Sequence, residues 1–465
     1  MLGSLFFKGL PFLYNLSMLK KFLFILFFVL AINISFAQDL AYILPQAEPT
    51  INDIQNLIEQ GNYPLANQIL EQAYEQAQTK QEKEELTFIM ASIATKQEDY
   101  NRAIRLYRQL LNFNPTLTMA RFNLAWVYFL KKEYEAARFN MKLALSQEDL
   151  PEDMRMQGNY LLYQIRQQKV WDAQIQVGIA PDTNINGVSG KQIECFYYAG
   201  LPFCRELESI QSDIGFQGSG LFDYTYKFND KWSLKSRLSI DAIHYDDERF
   251  SFWSLGLATG PRYTAQRGEY WLAASYREQF NEEHRYSHTT GVFAEASRDL
   301  SRKFSLFGRI EASDIHYIQS LYKVFNAQEY ALNARLFFFL NNFTYFVLGA
   351  GVSTTDAKLD YNSYIHQHYS FGVGLQLPLG FNFYVEPSIS DNYFLKKGTY
   401  INHEELVEAK RREHIRGVYV SLSSNLLSVY ELTPRVNFIY NKRTSNIESY
   451  EFERTRWEFG ISKAF

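Results

Sequence analysis

The chain has 465 residues and a net charge of −4, so it is long enough for two or more domains and lacks the basic excess of a nucleic-acid binder. Aromatic residues make up 17% of it, with 33 Tyr and 38 Phe, yet its mean hydropathy is slightly polar. That pairing excludes a bundle of membrane-spanning helices. It suits a barrel, in which only alternate strand residues meet lipid and aromatic girdles mark the interfaces.

Lys20 and Lys21 precede an apolar run from Phe22 to Ile32, and Ser35-Phe36-Ala37 follows as a small-x-small cleavage site. This predicts an export signal over 1–37, with Met18 as a natural start and a mature chain from Gln38. The run is too short for a spanning helix, and no later stretch reaches 18 consecutive apolar residues. No Cys follows the run, so the mature protein is not expected to be a lipoprotein itself.

The next expected domain, 38–170, has a helical period from about Thr50 to Lys169. Tyr100, Ala103 and Tyr107 recur 34 positions later as Tyr134, Ala137 and Met141, and a further copy begins at Tyr63, Ala66 and Leu70. The period resembles the tetratricopeptide repeat, paired helices with small residues where they cross, although the tryptophan-and-glycine part of that pattern is missing. We expect these residues to pack the repeats and not to touch a ligand. Stacked repeats of this type form a concave groove that holds peptide or protein, the alternative being a plain helical spacer.

After Trp171 the period becomes two. Over Lys231 to Ala242, Trp232, Leu234, Leu238, Ile240 and Ala242 fall on one face, and Lys231, Ser233, Lys235, Arg237, Ser239 and Asp241 on the other. No helix follows to cover the apolar face, so the expected fold is an antiparallel transmembrane β-barrel over 171–465. Tight turns at Asn229-Asp230, Arg267-Gly268, Asn341-Asn342 and near Gly380 alternate with longer polar stretches: Asp246 to Ser251, Asn281 to Ser287, Ile318 to Phe325, Asp356 to Ser363, Lys396 to Lys410 and Thr444 to Ser449. Segments between these breaks number about 14, an even count as barrels of this kind require. The last strand places Trp457, Phe459, Ile461 and Phe465 on one face, a terminal-aromatic pattern of the sort barrel-assembly machinery reads. Lys235, Arg237, Arg309, Glu311, Arg454 and Arg456 are expected to point into the lumen, leaving it either wet or plugged by paired charges. The fold class is thus multi-domain α + β, a tetratricopeptide-like helical domain followed by the barrel.

Cys195 and Cys204 lie close together in the exported part, which predicts a disulfide that staples a small loop. A search for chemistry finds no nucleophile elbow, zinc-protease helix or phosphate loop, and Gly187-Val188-Ser189-Gly190-Lys191 lacks the spacing of the last. His366 with His368, His284 with His288, and Asp246-Asp247-Glu248 read as luminal or solvated groups, so no catalytic residue, metal or cofactor is expected. The charged stretch from His403 to His414 reads as a solvated outer loop with room for a short helix.

An export signal, a tetratricopeptide-like domain and a C-terminal barrel, in that order, resemble the surface lipoprotein assembly modulator family, the barrel component of type XI secretion systems. The junction Val177-Gly178-Ile179-Ala180-Pro181-Asp182-Thr183-Asn184-Ile185-Asn186 is similar to the segment with which that family's barrel region opens. A plainer reading is that Pro181 stops the first strand while Asp182, Asn184 and Asn186 shape a turn. The resemblance implies an outer-membrane translocator with its helical domain in the periplasm. Its client would be a surface lipoprotein or a secreted haem- or iron-acquisition protein, received by the helices and passed by the barrel. Other implied partners are outer-membrane lipid, the barrel-assembly machinery and periplasmic chaperones. The alternative function is a passive pore or solute channel with a helical docking domain.

Overall fold

The computed structural model describes residues 51–465 except 149, 199–200, 282–283, 425–426, 429–431 and 465. The expected export signal and Phe465 therefore lie outside the described residues. Seven helices come first: α1 (Ile51–Glu59), α2 (Tyr63–Gln76), α3 (Lys80–Lys96), α4 (Tyr100–Phe113), α5 (Thr118–Leu130), α6 (Tyr134–Leu145) and α7 (Glu152–Gln168). Local chemistry sets their starts. Thr79 and Glu82 form a reciprocal capping box on α3, and Asp99 caps α4 by accepting from Arg102 N at 3.0 Å. The repeat residues open the second helix of each pair. Ala66, Ala103, Tyr107 and Ala137 are buried, whereas Tyr63, Tyr100 and Tyr134 are half-buried, the latter two resting against a core that includes Ala91, Ala94, Ala125 and Ala144. Alanine at these crossings lets backbones approach, and the tyrosines close the edges.

Eighteen strands follow among the described residues. Fourteen close into an antiparallel barrel: β1 (Trp171–Asp182), β4 (Asp213–Lys227), β5 (Trp232–His244), β6 (Phe252–Ala265), β7 (Gly268–Asn281), β8 (His284–Asp299), β9 (Phe304–Tyr317), β10 (Ala327–Phe339), β11 (Thr344–Ala357), β12 (Tyr364–Gln376), β13 (Phe381–Phe394), β16 (Arg412–Ser424), β17 (Thr433–Ser445) and β18 (Phe452–Ala464). Closure is made by β1, which pairs with β4 on one side and β18 on the other. Trp232, Leu234, Leu238 and Ile240 are exposed on the outside, as are Trp457, Phe459 and Ile461, which is what a lipid-facing surface requires.

Two hairpins stand outside the barrel: β2 (Ile193–Tyr198) with β3 (Leu201–Glu206), and β14 (Gly398–Asn402) with β15 (Glu405–Ala409). The second corrects an expectation. The charged stretch 403–414 holds no helix; it is β15 and the start of β16, with His403 and Glu404 turning the chain at φ 48° and 65°. Cross-strand pairing of Thr399 with Glu408 and Ile401 with Leu406 overrides the helical preference of its Glu, Lys and Arg. The polar stretch expected from Asn281 to Ser287 is shorter than that, since His284 already opens β8, in which His288 also lies.

Candidate functional site

The helical region sits on the rim that carries the tight turns. Gln167 donates to the carbonyl of Asp230 at 2.5 Å, and Arg166 to that of Gln266. Asn342 donates to Thr116 O at 3.0 Å and Thr118 Oγ1 at 2.9 Å, and Lys303 pairs with Glu148 at 2.8 Å. Arg121, almost wholly buried in α5, reaches Gln376 at the end of β12 and Asn140 of α6. The turns between β4 and β5, β6 and β7, β8 and β9, and β10 and β11 are therefore all engaged.

Helix α6 faces the lumen from this rim. Glu135, Arg138 and Lys142 are three and four residues apart and share one side of the helix. Lys142 Nζ lies 2.7 Å from Asp299 and donates to Ser305 Oγ at 3.0 Å. Lys169 bridges Glu135 at 2.7 Å and Asp172 at 3.0 Å, and Arg138 contacts Glu135. Together with Asp223, Lys235, Arg262 and Glu269 of the wall they enclose a cavity of 240 Å³. Burial alone would raise the Glu135 carboxyl, but Arg138 and Lys169 hold it well below the usual carboxylate range. Burial and the neighbouring Arg138 push the Lys142 ammonium down. These are desolvated charges that depend on their partners.

The opposite flank of α6 is different in kind. Phe139 meets the edge of Tyr345 at 5.6 Å, and a cavity of 480 Å³ opens beside it, lined by Tyr345, Tyr384, Tyr419, Ser421 and Ser423. Gly372 and Gly374 of β12 leave room for the Tyr384 and Tyr345 rings to lie on the wall, since a Cβ at either would strike them. One wall is thus ion-paired to α6, and the other is hydroxyl-lined with a gap before it.

Higher in the lumen the expected inward charges are all paired. Lys235 and Arg237 share Asp223 at 3.0 and 2.7 Å, Arg309 meets Glu311 at 3.0 Å, and Arg456 meets Glu458 at 2.8 Å. Arg454 binds Asp182, its Nε lying 2.9 Å from one carboxylate oxygen and 3.0 Å from the other. This last pair belongs to the seam between β1 and β18. The ladder runs from Gln174–Ala464 to Ile179–Phe459, lapses at Ala180 and Pro181, and returns at Asp182–Arg456. Pro181 does not stop β1, because it still stands opposite Ile214 of β4; without an N–H, it cannot donate across the seam. Gly178 faces Gly460, where a Cβ on Gly178 would come 2.8 Å from the Gly460 Cα.

The junction motif closes the seam beyond that gap. Asp182 is buried, accepts from Asn184 N at 3.1 Å and from Tyr245 Oη at 3.3 Å, and holds Arg454. Asn184, also buried, donates to Val188 O at 2.9 Å and Glu453 O at 3.1 Å. Thr183 and Thr455 exchange two bonds, and Asn186 fastens the loop to Ser209 O at 2.8 Å. These residues do shape a turn, and they also tie the first strand to the last.

At this long-loop rim a disulfide joins Cys195 to Cys204 across the β2–β3 pair. Tyr197 N donates to Glu404 O at 3.3 Å, linking the two outer hairpins. Glu448 contacts Lys191 and His403, the latter at 2.7 Å. His366 and His368 are luminal and bond to Asn392 and Ser390, and Asp247 pairs with Arg249. Among the described residues no three His, Cys, Asp or Glu side chains converge as a metal site would need. The α6 face and its partners Lys169, Asp299 and Ser305 were not singled out from the sequence. The one available signal was that Glu135, Arg138 and Lys142 align on one side of a short helix.

A family profile described as "Surface lipoprotein assembly modifier" matches residues 171–465, and its companion, "Surface lipoprotein assembly modifier, N-terminal TPR repeats", matches 39–141. The chain belongs to the surface lipoprotein assembly modifier family. This is the family its domain order and junction resemble, and with a closed barrel of 14 strands it makes the protein an outer-membrane one. A surface lipoprotein assembly modifier of Pasteurella multocida (strain Pm70) is 23% identical over 82% of this chain and 76% of its own length. Surface lipoprotein assembly modifier 1 of Haemophilus influenzae (strain Rd) is 21% identical over 79% and 74%. Among solved structures, a bacterial polysaccharide outer membrane secretin aligns with 63% of this chain and 98% of its own, at 11% identity and a TM-score of 0.35.

Proposed function

We propose that this surface lipoprotein assembly modifier delivers a specific client protein, a surface lipoprotein or a secreted haem- or iron-acquisition protein, to the cell surface. The helical region lies in the periplasm and receives the client, and the barrel passes it. The observation that carries this reading is α6, a repeat helix whose charged face is seated on the lumen wall at the barrel's mouth. A passive channel has no use for a protein-binding helix across its entrance. A receptor that must release its hold before the path opens does. The gap beside Tyr384 and Tyr419, lined by hydroxyls together with Arg108 and Arg435, offers hydrogen-bond partners to the backbone of a passing polypeptide. The reading assigns no catalytic step to the chain. It is tested by expressing the protein with a signal-bearing neighbour in a bacterium lacking both, then adding protease to intact cells. The neighbour should be shaved only when this protein is present; equal shaving without it refutes the reading.

A further inference from the structure

Helix α7 leads from the repeats into β1 and leaves two large apolar residues, Met156 and Tyr160, 62% and 59% exposed, four positions apart on one face. Beside them lies a cavity of 590 Å³ between α7 and the β8–β9 turn. Five cationic side chains line it: Lys142, Arg155, Arg166, Arg267 and Arg302. Only two carboxylates do, Glu152 and Asp299, and Asp299 is already shared between Lys142 at 2.7 Å and Arg166 at 3.1 Å. Arg155 is held by Glu152 at 3.2 Å, Arg302 lies near the exposed Glu148 without closing an ion pair to it, and Arg267 has no ion-pair partner among the described residues. Arg166 Nε is buried there without a hydrogen-bond partner. At the edge of the cavity Leu300 is 49% exposed, and four residues on, Phe304 faces outward and stacks on Phe338 at 4.8 Å, in the manner of an interfacial aromatic belt.

A surplus of guanidinium groups, an exposed apolar helix stripe and an adjoining aromatic belt together match the boundary between lipid headgroups and acyl chains. We propose that this cavity seats the phosphodiester headgroup of an anionic phospholipid from the adjoining leaflet. Arg267 and Arg302 bind the phosphate, and Met156, Tyr160 and Leu300 rest against the glycerol and upper acyl region. The lipid then pins α7, the hinge between repeats and barrel, to the membrane. The proposal rests on the reading that this rim faces the periplasm.

The test uses the purified full chain in a zwitterionic detergent, with equimolar phosphatidylglycerol and phosphatidylcholine offered and bound lipid counted by native mass spectrometry. The wild type should retain phosphatidylglycerol preferentially. The double variant Arg267→Ala/Arg302→Ala should lose that preference by roughly 30-fold, the effect of two arginines at an anionic surface. Arg298→Ala, on the same rim but outside the cavity, should keep it. Folding of each variant is checked by its migration on gels without boiling. Equal retention of the two lipids, an unchanged preference in the double variant, or an equal loss in Arg298→Ala overturns the proposal. So does equally tight binding of glycerol 3-phosphate, which would assign the site to free phosphate esters. No client is involved, so the proposal and the translocation reading fail separately.

Discussion

Asp182 carries the outer end of the β1–β18 seam, since its carboxylate meets Arg454, Tyr245 and the backbone of Asn184 at one buried point. Removing it strands the Arg454 guanidinium, and breaking a buried pair from one side costs about 3 kcal/mol. Asp182→Ala is therefore expected to lower the temperature at which the barrel loses its compact gel migration, with Asp182→Asn intermediate because it keeps the shape and part of the bonding. An unchanged transition in both would show that the seam does not depend on this latch. A second set of residues carries conformational strain. Gly61, Glu98 and Lys132 occupy the same place in the turn within each helix pair, α1–α2, α3–α4 and α5–α6, at φ 74°, 59° and 68°. Only the first is a glycine. Glu98→Gly and Lys132→Gly should each stabilise the helical region by about 1 kcal/mol, because a side chain in the left-handed region crowds the following carbonyl. Thermal unfolding of the full chain followed by helical circular dichroism reads this directly.

Among the elements, α6 is the one whose role the pattern of residues concealed. Strands could be read because lipid outside and water or charge inside impose a period of two over ten or more residues, as Trp232 to Ala242 shows. The repeats could be read because helix crossings admit only small residues at Ala66, Ala103 and Ala137. A face bearing Glu135, Arg138 and Lys142 looks the same whether it meets water or a charged lumen wall. Nothing in its composition separates the two, and only the register of β8 and β9 places Asp299 and Ser305 opposite Lys142. The hairpin β14–β15 was misread for a related reason, as five-residue strands are too short for their alternation to outweigh helix-forming side chains. The ion pairs of α6 make a prediction of their own. The Glu135 carboxyl is lower in the folded protein than its unfolded value of 4.5, so the stability it contributes is fully present above about pH 4.5 and is lost as pH falls below it. Protease cleavage between α6 and α7 should accelerate on acidification below that point, and Glu135→Gln should reduce the acceleration, leaving the part that comes from the Asp299–Lys142 pair, at the cost of faster cleavage at neutral pH.

For the whole molecule the question is whether the helical region must move for the barrel to work. In this structure the helices and the α6–α7 loop are bonded to four consecutive tight turns, and α6 is seated on the ion-paired lumen wall with the gap near Tyr384 and Tyr419 on its other flank. If the client passes by moving the helical region off the rim, some of these bonds break during each passage, and a covalent link that prevents separation should halt it. Thr118 and Asn342 touch at 2.9 Å, one from α5 and one from the β10–β11 turn. Both native cysteines are already joined to each other, so Thr118→Cys with Asn342→Cys adds the only reactive thiols among the described residues. A cleavable bismaleimide bridging them should abolish display of a client on intact cells while leaving barrel insertion unchanged, and cleavage of the reagent should restore display. Each single-cysteine variant, treated in the same way, should display the client normally. Continued display with the bridge intact would mean that the client passes without the helical region leaving the rim. The gap beside Tyr384 and Tyr419 would then have to serve as the path with α6 still in place.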